Sequence, residues 1–168
     1  MALISVPFFP QDGTITIEDA TGTPISMTVQ YEDGDFSCDG WKEDHSADVV
    51  VRDRRRIYAV RKGDEEPMTF QFTAHATDMA DGTEKTVLDA VMKTGAFSAG
   101  VSTWGADADV WMTTVTWTGE QTDFGGGADS TIVLTYCRLS ASFSEGQPGT
   151  FTVSGTAYLK AAAGISRT

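Results

Sequence analysis

Residues that carry chemistry are scarce in this chain: 168 residues contain only two histidines and two cysteines. Cys38 and Cys137 lie far apart and fit no metal or redox spacing. A reduced site of synthesis is the simplest reading, with a single bridge between the two left open. Long apolar runs are also missing. No stretch approaches the roughly 20 apolar residues that a membrane-spanning helix needs, so no membrane partner is expected. The opening "MALISVPFFPQDG" has no basic leader and is interrupted by Ser5, Pro7 and Pro10, so it does not read as a secretion signal. Positive charge is the last shortage. Twelve Lys and Arg stand against 24 Asp and Glu, a formal net charge of -12. Such a chain repels other polyanions, DNA included.

What is present is the vocabulary of a β protein, and 168 residues suit one domain spanning 1–168. Thr, Val, Phe, Trp and Ser alternate while Gly and Asp punctuate. "GTITIED" (13–19) and "PISMTVQYE" (24–32) predict an opening hairpin, followed by an acidic loop over 32–48. Strands are expected near 48–52 and 56–62, then over "PMTFQFTAHAT" (67–77). There Met68, Phe70, Phe72, Ala74 and Ala76 alternate with polar residues, the mark of a half-buried strand. Three long strands follow at 109–119, 130–146 and 149–160, and "GGG" at 125–127 reads as a loop.

A single segment has helical spacing. "DGTEKTVLDAVMKTG" (81–95) predicts one α-helix over about 83–94, with Asp81 or Thr83 as N-cap and Gly95 as the stop. Val87, Leu88, Val91 and Met92 form its expected packing stripe. The fold class is therefore mainly β, a β-sandwich or curved sheet carrying one helix.

A search for catalytic groups returns little. His45 and His75 fall in an acidic loop and on a polar strand face, and "GAFSAG" (95–100) has one residue too many before Ser98 for a nucleophile elbow. No catalytic residue is assigned and no enzyme activity is expected. Asp35, Ser37, Asp39 and Gly40 match part of a calcium loop. Ser46 stands where the bidentate glutamate belongs, however, and Lys42 where an aliphatic residue is usual. A solvated acidic loop is the better reading, and no metal or cofactor is expected. Trp104, Trp111 and Trp117 are candidate contacts for a carbohydrate-binding sandwich, although aromatics at alternating positions are more often core.

The feature that most needs explaining is the one place where positive charge gathers. Arg52, Arg54, Arg55, Arg56, Arg61 and Lys62 fall within eleven positions with one acid, Asp53, among them. The segment carries +5 and leaves the remainder of the chain at -17. Duplex binding would have to act against that field, and the apolar centre from Ile57 to Val60 suits a short buried strand with two cationic rims. Arginine outnumbers lysine five to one, and its planar fork suits carboxylates. Acids flank the segment, seven in the loop 32–48 and then Asp64, Glu65 and Glu66. Exposed pairs within one subunit would add about 0–1 kcal/mol each. Between subunits they would set register and reject wrong partners. These nine residues, six basic and three acidic, are the expected assembly face.

The run from Val60 to Met68, "VRKGDEEPM", continuing into Phe70 and Phe72, resembles a segment of tail tube proteins, the major tail proteins of long-tailed bacteriophages. The closing "GTFTVSGTAYL" (149–159) is similar to that family's final strand. One departure is Arg55, which follows Arg54 where the family pattern would have glycine. The resemblance implies a structural virion protein, made in the host cytoplasm, that forms homo-hexameric rings stacked into a tube. Strands of neighbouring subunits would close a barrel, and double-stranded DNA would pass an acidic lumen without specific binding. Tape measure, terminator and distal tail proteins would be the other partners. A non-contractile tail is preferred, and a terminator or distal ring subunit is the alternative within virion proteins.

Overall fold

The computed structural model of the chain describes residues 13–29, 35–77, 84–119, 129–160 and 163–168. Among the described residues are ten strands, one short α-helix and a 3-10 turn at Gly95–Phe97: β1 (Thr14–Glu18), β2 (Ser26–Val29), β3 (Ser37–Asp39), β4 (Ser46–Asp53), β5 (Arg56–Glu65), β6 (Met68–His75), α1 (Val87–Met92), β7 (Thr113–Gly119), β8 (Ser130–Ser144), β9 (Thr150–Ala157) and β10 (Ile165–Arg167). Eight strands form one antiparallel sheet in the order β2-β1-β7-β8-β9-β6-β3, with β10 also paired to β8. The remaining two, β4 and β5, pair only with each other. The expected mainly-β class with one helix is the observed one. The GGG loop and residues 32–34 of the acidic loop lie outside the described residues.

Alternation dictates the inner face. On β6, Met68, Phe70, Phe72 and Ala74 are buried, and on β9 Phe151, Val153 and Ala157 meet them across the register. The pair Phe70–Gly155 has a particular reason. A Cβ at Gly155 would lie 2.2 Å from the Phe70 ring, so glycine lets that ring lie flat over the neighbouring strand. Ile15, Ile17, Val115, Trp117 and Leu134 complete the core from the other half of the sheet.

The two halves meet because the sheet curls. Phe36, directly before β3, stacks on Trp117 of β7 with ring centroids 5.7 Å apart and planes 8° from parallel. In a flat sheet four strand spacings would hold β7 and β3 about 19 Å apart. The 15-residue β8 makes the curl possible by serving two sets of neighbours. Ile132–Leu134 pair with β7 and β10, and Cys137–Ser144 pair with β9, with an irregularity in the β7 register opposite the change.

The helix is shorter than its pattern predicts. Asp81 and Thr83 lie outside the described residues, and the cap is Thr86. The Thr86 hydroxyl accepts from the Asp89 amide at 3.1 Å, and the Asp89 carboxylate accepts from the Thr86 amide at 3.2 Å. Lys93 ends the helix in a left-handed conformation. Gly95, at φ 48°, sits so close to Asp89 that a Cβ would meet its carboxylate oxygen at 2.5 Å. The packing stripe is rotated from the expected one: Val87 and Ala90 are buried, whereas Met92 is exposed.

Candidate functional site

The nine charged residues singled out by sequence all lie on the β4–β5 hairpin or at its foot, and all are exposed. Arg52 is near the end of β4, Arg54 and Arg55 form the turn, and Arg56, Arg61 and Lys62 lie on β5. Asp64 and Glu65 end β5, and Glu66 follows it. The Glu66 amide donates to the His45 carbonyl at 2.6 Å and closes the base.

One expectation is overturned. The apolar centre of this segment is not buried: Ile57 is 60% exposed, Tyr58 80% and Val60 59%. Val49, Val50 and Val51 opposite them are exposed as well. The cause is topological. Among the described residues no sheet covers either face of the two-stranded ribbon, so alternation puts Val50 and Val60 on one open face and Val51 and Ala59 on the other. A register shift between Val51 and Arg52 leaves Tyr58 as an extra residue opposite them, a bulge that re-aims the side chain.

The ion pairs distinguish lysine from arginine. Lys62 reaches Asp44 at 2.7 Å, and Lys42 pairs with Glu66. Lys62, with the Ser46 hydroxyl and amide, holds the Asp44 carboxyl down at about 2. Both pairs brace the foot of the hairpin. None of the five arginines forms an ion pair with a carboxylate among the described residues. The turn itself is strained: Arg54 and Arg55 have φ of 46° and 69°, the left-handed region that a two-residue hairpin turn demands and that Asn-Gly usually supplies.

The other candidate residues are committed elsewhere. Trp117 is core, and the Trp111 indole donates to the Ala90 carbonyl at 2.7 Å with the Lys93 ammonium 5.1 Å from its ring. Neither presents the open aromatic platform that a sugar face requires. Trp104 stands edge-on to Tyr136, 5.3 Å between centroids, beneath the Lys160 ammonium. Ser37 and Asp39 of the calcium-like stretch are strand residues paired with β6, and one Asp35 oxygen accepts the Thr73 amide at 2.7 Å. No group of three His, Cys, Asp or Glu placed to hold a metal occurs among the described residues. Cys38 and Cys137 are free thiols. Burial, with Asp39 nearby, pushes Cys38 up to about 11, and burial raises Cys137 further.

Sequence reasoning missed a second anchor, Asp19. Its carboxylate accepts the Ile25 amide at 2.6 Å, the Thr21 hydroxyl at 2.7 Å and the Val101 amide at 3.0 Å. Burial alone would raise this carboxyl, but the hydrogen bonds outweigh it and hold it below its ordinary value. The available signal was an Asp at a strand end followed by "ATGT", a side chain placed to organise its own turn.

No protein-family model matches the chain, and no curated protein matches it in sequence. Solved structures do match in fold. A chain of the PVC sheath–tube complex, from an extracellular contractile injection system in the extended state, has a TM-score of 0.56 at 10% identity, covering 98% of this chain and 93% of that one. A chain of the PVC sheath/tube terminator gives 0.55 at 11% identity, covering 99% of both. A chain of the anti-feeding prophage baseplate gives 0.51 at 8%, covering 98% and 97%. Along nearly its whole length, the chain shares its fold with chains of these injection-system and prophage assemblies.

Proposed function

We propose that the protein is a non-catalytic structural component of a phage-like tail, the repeating subunit of its tube. One observation carries the reading. The β4–β5 hairpin exposes apolar side chains on both faces and arginines without a carboxylate partner among the described residues. A two-stranded ribbon is marginal alone in water, and exposed contiguous apolar surface marks an interaction site. The fold neighbours, parts of sheath–tube and baseplate assemblies, agree with that use.

In this reading homo-hexameric rings stack into a tube. The outer strands β2 and β3 leave sheet edges that closure of a ring would pair. Stacking needs two unlike complementary faces, which a cationic hairpin and an acidic remainder supply. The negative surplus gives the lumen wall no phosphate-neutralising groups, so double-stranded DNA passes without being held. Tape measure, terminator and distal tail proteins are the proposed neighbours, and the virion the proposed location. Among the described residues no helix is long and apolar enough to cross a membrane.

A terminator is the second reading, favoured by a TM-score of 0.55 to the terminator chain beside 0.56 to the sheath–tube chain. Negative-stain microscopy with sedimentation velocity separates the readings. Concentration-dependent tubes are expected of a tube subunit and single rings of a terminator. Protein that stays monomeric at every concentration and salt would sink both. Reversing Arg54 and Arg56 to Glu is expected to leave the monomer folded and to impair stacking.

A further inference from the structure

If the hairpin docks on a second copy, some part of that copy must receive it. Three open depressions on the described surface bear comparison. One lies on the outer face of the main sheet and is lined by hydroxyls, among them Ser37, Ser140, Ser154 and Thr156. Another sits at the foot of the hairpin between Trp41 and Arg167, where Lys42 and His45 join its wall. Each offers apolar surface with a single carboxylate, Asp39 in the first and Glu43 in the second, the latter beside the cations Lys42 and Arg167.

The third sets two carboxylates beside its apolar wall. About 710 Å³ in volume, it lies between the loop 104–110 and the sheet, with Trp104, Val110, Met112 and Tyr158 in its walls and Asp107 and Asp109 on its loop side. Neither carboxylate has a hydrogen bond or ion pair with another described residue. The wall is preformed. Tyr136 meets the Trp104 ring edge-on at 77°, and Lys160 both lies over that ring and donates to the Trp104 carbonyl. A side chain already fixed loses little freedom on binding, which favours affinity.

We propose that this depression is the receptor for the hairpin tip of a second copy of the chain. The proposal deepens the assembly reading and rests on it. Tyr58, re-aimed by the bulge, supplies the apolar anchor. Arg54, Arg55 and Arg56 supply planar donors for Asp107 and Asp109. Tyrosine and arginine are the residue types that concentrate binding energy at interfaces, and arginine pairs with carboxylate through two parallel hydrogen bonds. Arg138 lines the sheet side of the depression and repels an arginine there, so the tip enters with Tyr58 toward the sheet and its arginines toward the loop. Because tip and receptor are different surfaces of one chain, the contact is head-to-tail and propagates from copy to copy.

A charge exchange on the full chain tests this. One variant carries Arg54→Asp and Arg56→Asp, a second Asp107→Arg and Asp109→Arg, and a third all four changes. Each of the first two is expected to weaken association at least about tenfold by sedimentation velocity, and the third to recover most of it. Circular dichroism checks that each remains folded. In a second measurement, Arg55→Cys and Ala108→Cys chains are mixed and oxidised, and a mixed disulfide dimer is expected. Wild-type assembly that ignores the Asp107 and Asp109 reversals, or no recovery on exchange, overturns the receptor and leaves the assembly reading standing. A wild-type chain that never associates overturns both.

Discussion

β5 and β6 are consecutive in the chain and both rich in apolar residues, yet their side chains meet opposite fates. On β6 every second residue from Met68 to Ala74 is buried against the curled sheet. On β5, Ile57, Tyr58 and Val60 stand in solvent, although a longer strand carries them. The difference is in what lies across from each strand, not in composition. β6 is flanked by β9 and β3 and capped by a core that the curl closes, whereas β5 has β4 alone. One region is finished within a single chain; the other stands uncovered among the described residues.

The sharpest test compares the two directly. Phe72→Ala, at a fully buried position, is expected to cost about 3–5 kcal/mol in urea unfolding. Tyr58→Ala should change monomer stability by no more than about 0.5 kcal/mol while lowering association. Equal destabilisation by both would mean that the hairpin is already covered in the monomer, and the contrast would fail. Gly155→Ala comes next. A methyl group driven into the Phe70 ring is expected to cost about 1–3 kcal/mol, read as a lower midpoint with an unchanged slope.

Asp19 probes the finished region through pH. Its carboxyl is held below the unfolded value, so the stability it adds is complete above about pH 4 and is lost as pH falls through the folded value. Asp19→Ala should cost about 1–3 kcal/mol near neutral pH by leaving the Ile25 and Val101 amides without their acceptor. Its disadvantage should shrink in acid, and a penalty that stayed constant to pH 2 would count against this account. The smallest effect belongs to the hairpin foot. Lys62→Ala should leave the unfolding midpoint nearly in place while Asp44 titrates closer to an ordinary carboxylate, as carbon-detected NMR would record.

The strands were readable because a buried face imprints a period of two, and β1, β2, β6 and β9 fall where alternation puts them. The helix was misjudged for a local reason. Its six residues are too few for periodicity to fix, and the better signal was the cap "TVLD", Thr86 to Asp89. The hairpin was legible as strands but not as exposed. Alternation reveals that a ribbon has two faces; what covers them depends on the path of residues far away. The same limit hid the depression beside Trp104, whose walls are drawn from the loop 104–110, β8 and the segment after β9.

The turn that joins β4 to β5 has an engineering implication. Writing Asn-Gly in place of Arg54-Arg55 would relax two unfavourable backbone angles and make the ribbon a better-behaved hairpin in isolation. It would also strip the apex of two guanidinium groups. If the apex docks on a neighbour as proposed, a chain improved by every measure of its own folding would then be a poorer building block, because comfort at that corner and recognition would be in competition there.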